Sequence, residues 1–279
     1  LILNSFTLWF HCHGPHKQVS KSWMIFLKHL TIADLLLCFS LPVRIMHHAS
    51  SSFTISLLSC SVGTSVLYLN MFASILFMGF IAANRYMKIF HSLETNFLMT
   101  TKASHIISVT VWFVLLAIAT SYTILMLMTY EATQYHRTCE HFMNKRVKTL
   151  YLAIHTFAAI SFLSVLFSLI FFYCKTFHRL RKIQQRQLGS SSTKLVKSCR
   201  NMSVLVIVFC FCFVPYHVVR FLYVLLQGHC SQVFYYIKET AVLISVCNIC
   251  LDPVIYVFLC KDFRTKFNLK ELFCTKRHN

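Results

Sequence analysis

The sequence predicts an all-α membrane fold: a bundle of seven membrane-crossing helices, the first truncated, followed by a short amphipathic C-terminal helix. Three observations carry this. Of 279 residues, 57% are hydrophobic and only 13% are charged, against roughly 45–50% and about 25% in soluble domains. Six segments have the length and apolarity to cross the hydrocarbon, which takes about 20 residues. The basic residues also fall mainly on one side of those segments. Mean hydropathy is +0.62, and a soluble core could not bury that much apolar surface, so lipid solvates much of the chain. A disordered tail, a nucleic-acid-binding arm and a disulfide-knotted secreted domain are excluded. The net charge of +19 would suggest nucleic acid in a soluble protein. Here it reflects cytoplasmic loops and anionic headgroups.

Leu1–Phe10 is apolar but too short to cross. No basic region or cleavage site marks it as a signal peptide. Residues 1–11 read as the inner end of a first helix whose start is missing, so the chain is expected to begin inside that helix. The six full segments are Trp23–His47, Leu57–Phe90, Ile106–Thr129, Thr149–Cys174, Asn201–Gln227 and Val233–Cys260. Lys261–Phe273 is the amphipathic stretch, and residues 274–279 form a cytoplasmic tail; residues 1–279 make one domain. Gly189–Thr193 (Gly-Ser-Ser-Ser-Thr) reads as a flexible tip inside a basic loop. No internal repeat supports an inverted-repeat transporter.

Alternating the loops puts 18 of the 27 Lys and Arg inside and 4 outside. That asymmetry orients the chain with its C-terminus in the cytoplasm, as a multi-pass plasma-membrane protein.

Polar groups at bilayer depth cost at least ~2.5–3.5 kcal/mol per charge on insertion scales, so each needs a reason. Asp34, Asn70, Ser74, Asn248 and Asp252 lie within spans. Their oxygens suit a hydrated Na⁺ at the bundle centre. They suit equally a water-filled polar network with one acid protonated. Pro215 and Pro253 each remove a backbone hydrogen bond and kink their helices, either as levers in a two-state bundle or for packing alone. Phe209, Cys212 and Phe213, read alone, are core.

Three cations converge on the outward mouth: Arg44 after Pro42, Arg220 five residues past Pro215, and Lys238 at the start of the last span. Glu239 is the one acid nearby. Such a self-repelling cluster makes sense if an anion visits. Phosphate fits, gripped bidentately by Arg and as a point charge by Lys. Tyr68 and Tyr223 offer aromatic faces and hydroxyls for a base. The competing reading is cations snorkelling to headgroups.

Taken together, the chain resembles a rhodopsin-like (class A) G-protein-coupled receptor. The matches are Asn4; Leu30-Thr-Ile-Ala-Asp34; Cys60; Asn84-Arg85-Tyr86; Trp112; Phe209-x-x-Cys-Phe-x-Pro215; and Asp252-Pro-x-x-Tyr256. It is further similar to purinergic nucleotide receptors of the ADP- and UDP-sugar-sensing branch and its orphan relatives. The residues are Ser65-Val-Leu-Tyr68; Phe213-Val-Pro-Tyr-His217 with Arg220 and Tyr223; Gln227; Tyr235-Tyr-Ile-Lys238-Glu239-Thr240; Cys250-Leu-Asp252-Pro; and Phe258–Phe263. The resemblance implies nucleotide contacts at Tyr68, Arg220, Tyr223, Gln227 and Lys238. It implies coupling to a G protein, of inhibitory type, through Asn84, Arg85, Tyr86, Phe213, Pro215, Pro253 and Tyr256.

Cys60 and Cys139 flank the outer end of the third span and the next outer loop. An extracellular disulfide is expected there, and the resemblance implies the same pair. In that family the counterpart of Cys230 pairs with an N-terminal cysteine; that segment is absent from this sequence, so Cys230 is expected to be left unpaired. Cys274 is a palmitoylation candidate or an unmodified tail cysteine. The sequon Asn201-Met-Ser203 faces the cytoplasm and should carry no glycan.

The chain departs from the pattern at four places. Tyr151 and His155 replace a His and an Asn, Ser121 replaces a Pro, and Asn84 replaces the usual acid before Arg85. Without that acid, a weaker resting lock and raised basal signalling are expected. A lysophospholipid or another anionic lipid could use the same cations, which leaves a lysophospholipid-sensing or orphan receptor open. A receptor-like membrane protein that does not signal also stays open. No His-Glu-x-x-His, Gly-x-Ser-x-Gly or paired catalytic acids indicate an enzyme. The expected partners are an extracellular anionic small molecule, a heterotrimeric G protein and membrane lipid, not nucleic acid. No cofactor is expected beyond an allosteric Na⁺.

Overall fold

Backbone N–H and C=O groups in hydrocarbon must be satisfied within the chain, so apolar runs of this length wind into helices. The computed structural model describes residues 1–13, 22–49, 52–90, 100–129, 139, 144–185, 189–225 and 232–259. Gln227, Cys230, Cys274, the amphipathic stretch 261–273 and the tail 274–279 lie outside these residues.

The helices are α1 (Ile2–His13), α2 (Ser22–Ala49), α3 (Phe53–Phe90), α4 (Thr101–Thr129), α5 (Lys145–Gln185), α6 (Gly189–Leu225), α7 (Gln232–Val246) and α8 (Asn248–Leu259). Six spans are long and apolar enough to cross a membrane, the last running through α7 and α8 as Tyr236–Leu259. α3 is the central rod, packed against α2, α4, α5 and α6. Its inward face is apolar (Leu69, Phe72, Ile75, Phe77, Met78, Ile81) and buried. Large apolar side chains such as Phe39, Phe113, Phe167 and Phe221 stay exposed on the outside of the bundle, the inverse of a water-soluble surface. Where α3 meets α5 the backbones come close. A Cβ on Gly79 would stand 3.0 Å from Val165 Cγ1.

α3 is not uniformly α-helical. Ser59–Gly63 forms a π turn. There Thr64 Oγ1 donates to the Ser59 carbonyl at 3.2 Å, and Ser61 Oγ donates to the Leu57 carbonyl at 2.7 Å. Side-chain back-bonding of this kind supplies donors where the main-chain ladder is disturbed.

Proline leaves another gap in α8. Pro253 has no N–H for the carbonyl four residues earlier, that of Ile249. Asn4 of α1 fills it, donating from Nδ2 to Ile249 O at 2.9 Å. α7 and α8 are separated by a turn at Cys247, whose carbonyl accepts from the N–H groups of Cys250 and Leu251. On the far side, Trp112 Nε1 donates to His29 Nδ1 at 3.1 Å, tying α4 to α2.

One expectation is corrected. Gly189–Thr193 is not a flexible tip; it is the first turn of α6. Serine and threonine are well accepted at a helix start, and a long helix follows that repays nucleation. α5 has 41 residues, or about 60 Å at 1.5 Å per residue, roughly twice the hydrocarbon thickness. Lys175, Arg179, Arg181 and Lys182 therefore ride on a helical extension. Arg179 reaches back to α3, donating to the Ile89 carbonyl at 2.8 Å with its guanidinium 4.8 Å from the Phe90 ring.

Candidate functional site

Three groups of residues meet at three depths. At the end that carries Cys60, the disulfide to Cys139 is formed, with the Cα atoms 5.3 Å apart across 79 residues of sequence. It pins residue 139 over α3. His47 stands beside it and meets Ser56 Oγ at 3.1 Å. Both sulfurs are consumed in the disulfide, so His47 and the two cysteines do not form a metal site.

Just below, α6 and α7 bring Arg220 and Lys238 to the same ring. Their charged ends lie 5.3 and 4.9 Å from the centroid of Tyr223. Tyr223 in turn stacks on Phe234 at 6.0 Å. Lys238 Nζ is 3.7 Å from Glu239 Oε1, so the acid beside it offsets part of its charge. Arg220 is buried. It donates through Nη2 to the Tyr151 hydroxyl of α5 and lies 4.6 Å from that ring. The Tyr151 hydroxyl also meets that of Tyr68 on α3, at 3.3 Å. His155 braces both tyrosines edge-on, at 4.3 Å from Tyr151 and 4.9 Å from Tyr68. Arg44 lies along the π turn, its Cγ 3.4 Å from where a Gly63 Cβ would stand. Tyr68, Arg220, Tyr223 and Lys238 are thus brought to one cup, and Arg44 flanks it.

Halfway down, Asp34, Asn70, Ser74, Asn248 and Asp252 meet, all buried. Asn70 Nδ2 donates to Asp34 Oδ1 at 3.1 Å. Asn248 Nδ2 donates to Ser74 Oγ at 2.9 Å and to Asn70 Oδ1 at 3.4 Å. Asp34 Oδ2, both Asp252 oxygens and Asn248 Oδ1 are buried and accept no hydrogen bond from a described residue. Clustered buried acceptors of this kind call for a cation, an ordered water or a proton shared between the acids. An all-oxygen donor set matches a hard cation.

Phe213 packs edge-on against Phe209 at 5.3 Å, just before Pro215. Phe209 stacks on Phe162 of α5.

At the opposite end the guanidinium of Arg85 lies 4.0 Å from the ring of Trp23 on α2. Its Nη2 donates to the Leu259 carbonyl at 3.4 Å. Tyr86 stacks between Phe90 and Phe172. The Tyr256 hydroxyl meets Thr31 Oγ1 at 2.9 Å and His11 Nε2 at 2.5 Å.

Sequence reasoning missed several of these partners. Asn4, Thr7 and His11 form a buried polar stripe at three- and four-residue spacing on α1. That spacing was the available signal for a role of His11. Trp23 carried none, because a lone aromatic in a span reads as packing, and Tyr151 stood out only as a departure from the family pattern.

Residues 3–256 match the model of the 7 transmembrane receptor (rhodopsin family). Purinoceptor 14 of Bos taurus is 33% identical over 285 residues, covering 100% of this chain and 82% of that protein. Probable G-protein coupled receptor 34 of Pan troglodytes is 31% identical, covering 90% of this chain and 67% of that protein. Purinoceptor 13 of Homo sapiens is 27% identical, covering 95% and 76%.

Proposed function

Because the chain belongs to the rhodopsin family of seven-transmembrane receptors, it is a multi-pass membrane receptor and not an enzyme, and we propose that its ligand is an extracellular phosphate-bearing anion, a nucleotide or nucleotide sugar. One observation carries this reading: two cations from different helices converge on the Tyr223 ring. Separated chain positions that pool positive charge beside aromatic faces suit a molecule with a phosphate at one end and a flat base at the other. Two relatives bear the name purinoceptor, which supports the same class. Binding favours one of two bundle packings, so ligand affinity and affinity for a heterotrimeric G protein of inhibitory type are coupled reciprocally. The receptor sits in the plasma membrane with its C-terminus in the cytoplasm. Na⁺ at the Asp34–Asp252 cluster biases the same equilibrium.

A second reading has its own observation. A small apolar cleft of about 20 Å³, lined by Leu69, Phe72, Leu115, Ile118 and Ile154, opens beside Tyr68. Its apolar walls suit the end of an alkyl chain, and so a lysophospholipid whose phosphate meets the same cations.

The test is a panel of nucleotides, nucleotide sugars and lysophospholipids on cells expressing the receptor, read by cyclic AMP. Arg220→Ala and Lys238→Ala should each weaken the active ligand at least tenfold, since a lost contact between charged, hydrogen-bonded groups is worth about 1.5–3 kcal/mol. Potency unmoved by both substitutions would refute the site. Leu115→Trp should abolish a lysophospholipid response and spare a nucleotide response.

A further inference from the structure

We infer that Tyr151 sets the anion threshold of the cup: its hydroxyl holds the Arg220 guanidinium in place of a ligand oxygen and competes with an incoming anion for it. The inference rests on the anion reading above and deepens it.

Arg220 is buried, and its Nη2 donates to the Tyr151 hydroxyl. The flat of the guanidinium also lies against the rings of Tyr151 and Tyr223. An anion arriving at this cation therefore finds one of its donors already engaged. Tyr151 is itself held in place. Its hydroxyl meets Tyr68, its ring lies 4.3 Å from His155, and Tyr122 stands behind it at 6.4 Å.

Displacement has a chemical consequence. Once Arg220 turns to a phosphate, the phenol hydroxyl of Tyr151 loses its charged partner and keeps Tyr68 at 3.3 Å. Every anion that takes Arg220 must offset that loss. The tyrosine thus lowers the affinity of the cup for phosphate, and a ligand that also hydrogen-bonds the phenol recovers part of it.

The test uses the purified receptor and inorganic pyrophosphate, with protection against thermal unfolding as readout. Tyr151→Phe keeps the ring and removes the hydroxyl. Its half-maximal pyrophosphate concentration should fall about tenfold below wild type, the factor expected when a competing hydrogen bond to a charged donor is removed. Tyr151→Leu, made in case the Phe variant does not fold, should shift in the same direction, because both lack the hydroxyl. Arg220→Ala in either background should abolish protection. Equal or weaker pyrophosphate protection in the hydroxyl-less variants, with Arg220 dependence intact, overturns the role of Tyr151 and leaves the anion site standing. Protection absent from all variants, or indifferent to Arg220, overturns the anion site and the inference with it.

Discussion

Replacing Trp23 should raise signalling in the absence of ligand. Arg85 has no acidic neighbour at position 84 to hold it, yet its guanidinium lies 4.0 Å from the Trp23 ring and donates to the Leu259 carbonyl. Trp23 is only 5% exposed, so the contact is shielded from water. A desolvated cation–π contact is worth about 2 kcal/mol, a factor of roughly 30 in an equilibrium constant. The resemblance assigns Arg85 and Tyr256 to the activated bundle, and here both are gripped by neighbours on other helices. We therefore place the Trp23 contact in the resting packing, where it stands in for the missing ion pair. Trp23→Phe should raise basal G-protein activation modestly and Trp23→Leu by up to that factor, each normalised to surface expression. Asn84→Asp adds a carboxylate beside Arg85 and should lower basal activity. Basal signalling that is equal in wild type, Trp23→Leu and Asn84→Asp would refute the reasoning.

Two further outcomes follow from the buried polar contacts. Sodium should stabilise the purified receptor relative to choline at equal ionic strength, by about 1.4 kcal/mol at tenfold excess over its Kd; Asp252→Asn and Asn248→Ala should remove the difference, and a difference that survives both would dismiss the cation site. Asn4→Ala should cost about 1–3 kcal/mol by orphaning the Ile249 carbonyl, and much less in a Pro253→Ala background, where the helix supplies its own N–H. Equal costs in both backgrounds, measured by unfolding, would show that Asn4 serves some other purpose.

The spans were legible because lipid imposes a simple rule on them: length, apolarity and absence of charge suffice. The five central polar residues were legible as a set for the complementary reason, that each is too costly at that depth to stand alone. Partners across the bundle were not legible. Tyr256 meets His11 across 245 residues of sequence, and no periodicity within either helix encodes that meeting. Tyr151 was visible as a departure from a pattern, but its grip on Arg220 depends on how α5 faces α6. The start of α6 was misread because Gly-Ser-Ser-Ser-Thr carries the composition of a linker, while the helix that follows it decides its conformation.

The π turn at the top of α3 has a consequence for chain-length variation. Five residues wind where four would, so the segment holding Cys60 is offset by about 100° relative to an unbroken α-helix continuing upward from Tyr68. Deleting the outward-facing Val62 would relax the coil to an ordinary pitch and swing Cys60 off the azimuth of Cys139. A single-codon loss there would thus uncouple the anchor at Cys139 from the cup beneath it, without altering any side chain of the cup.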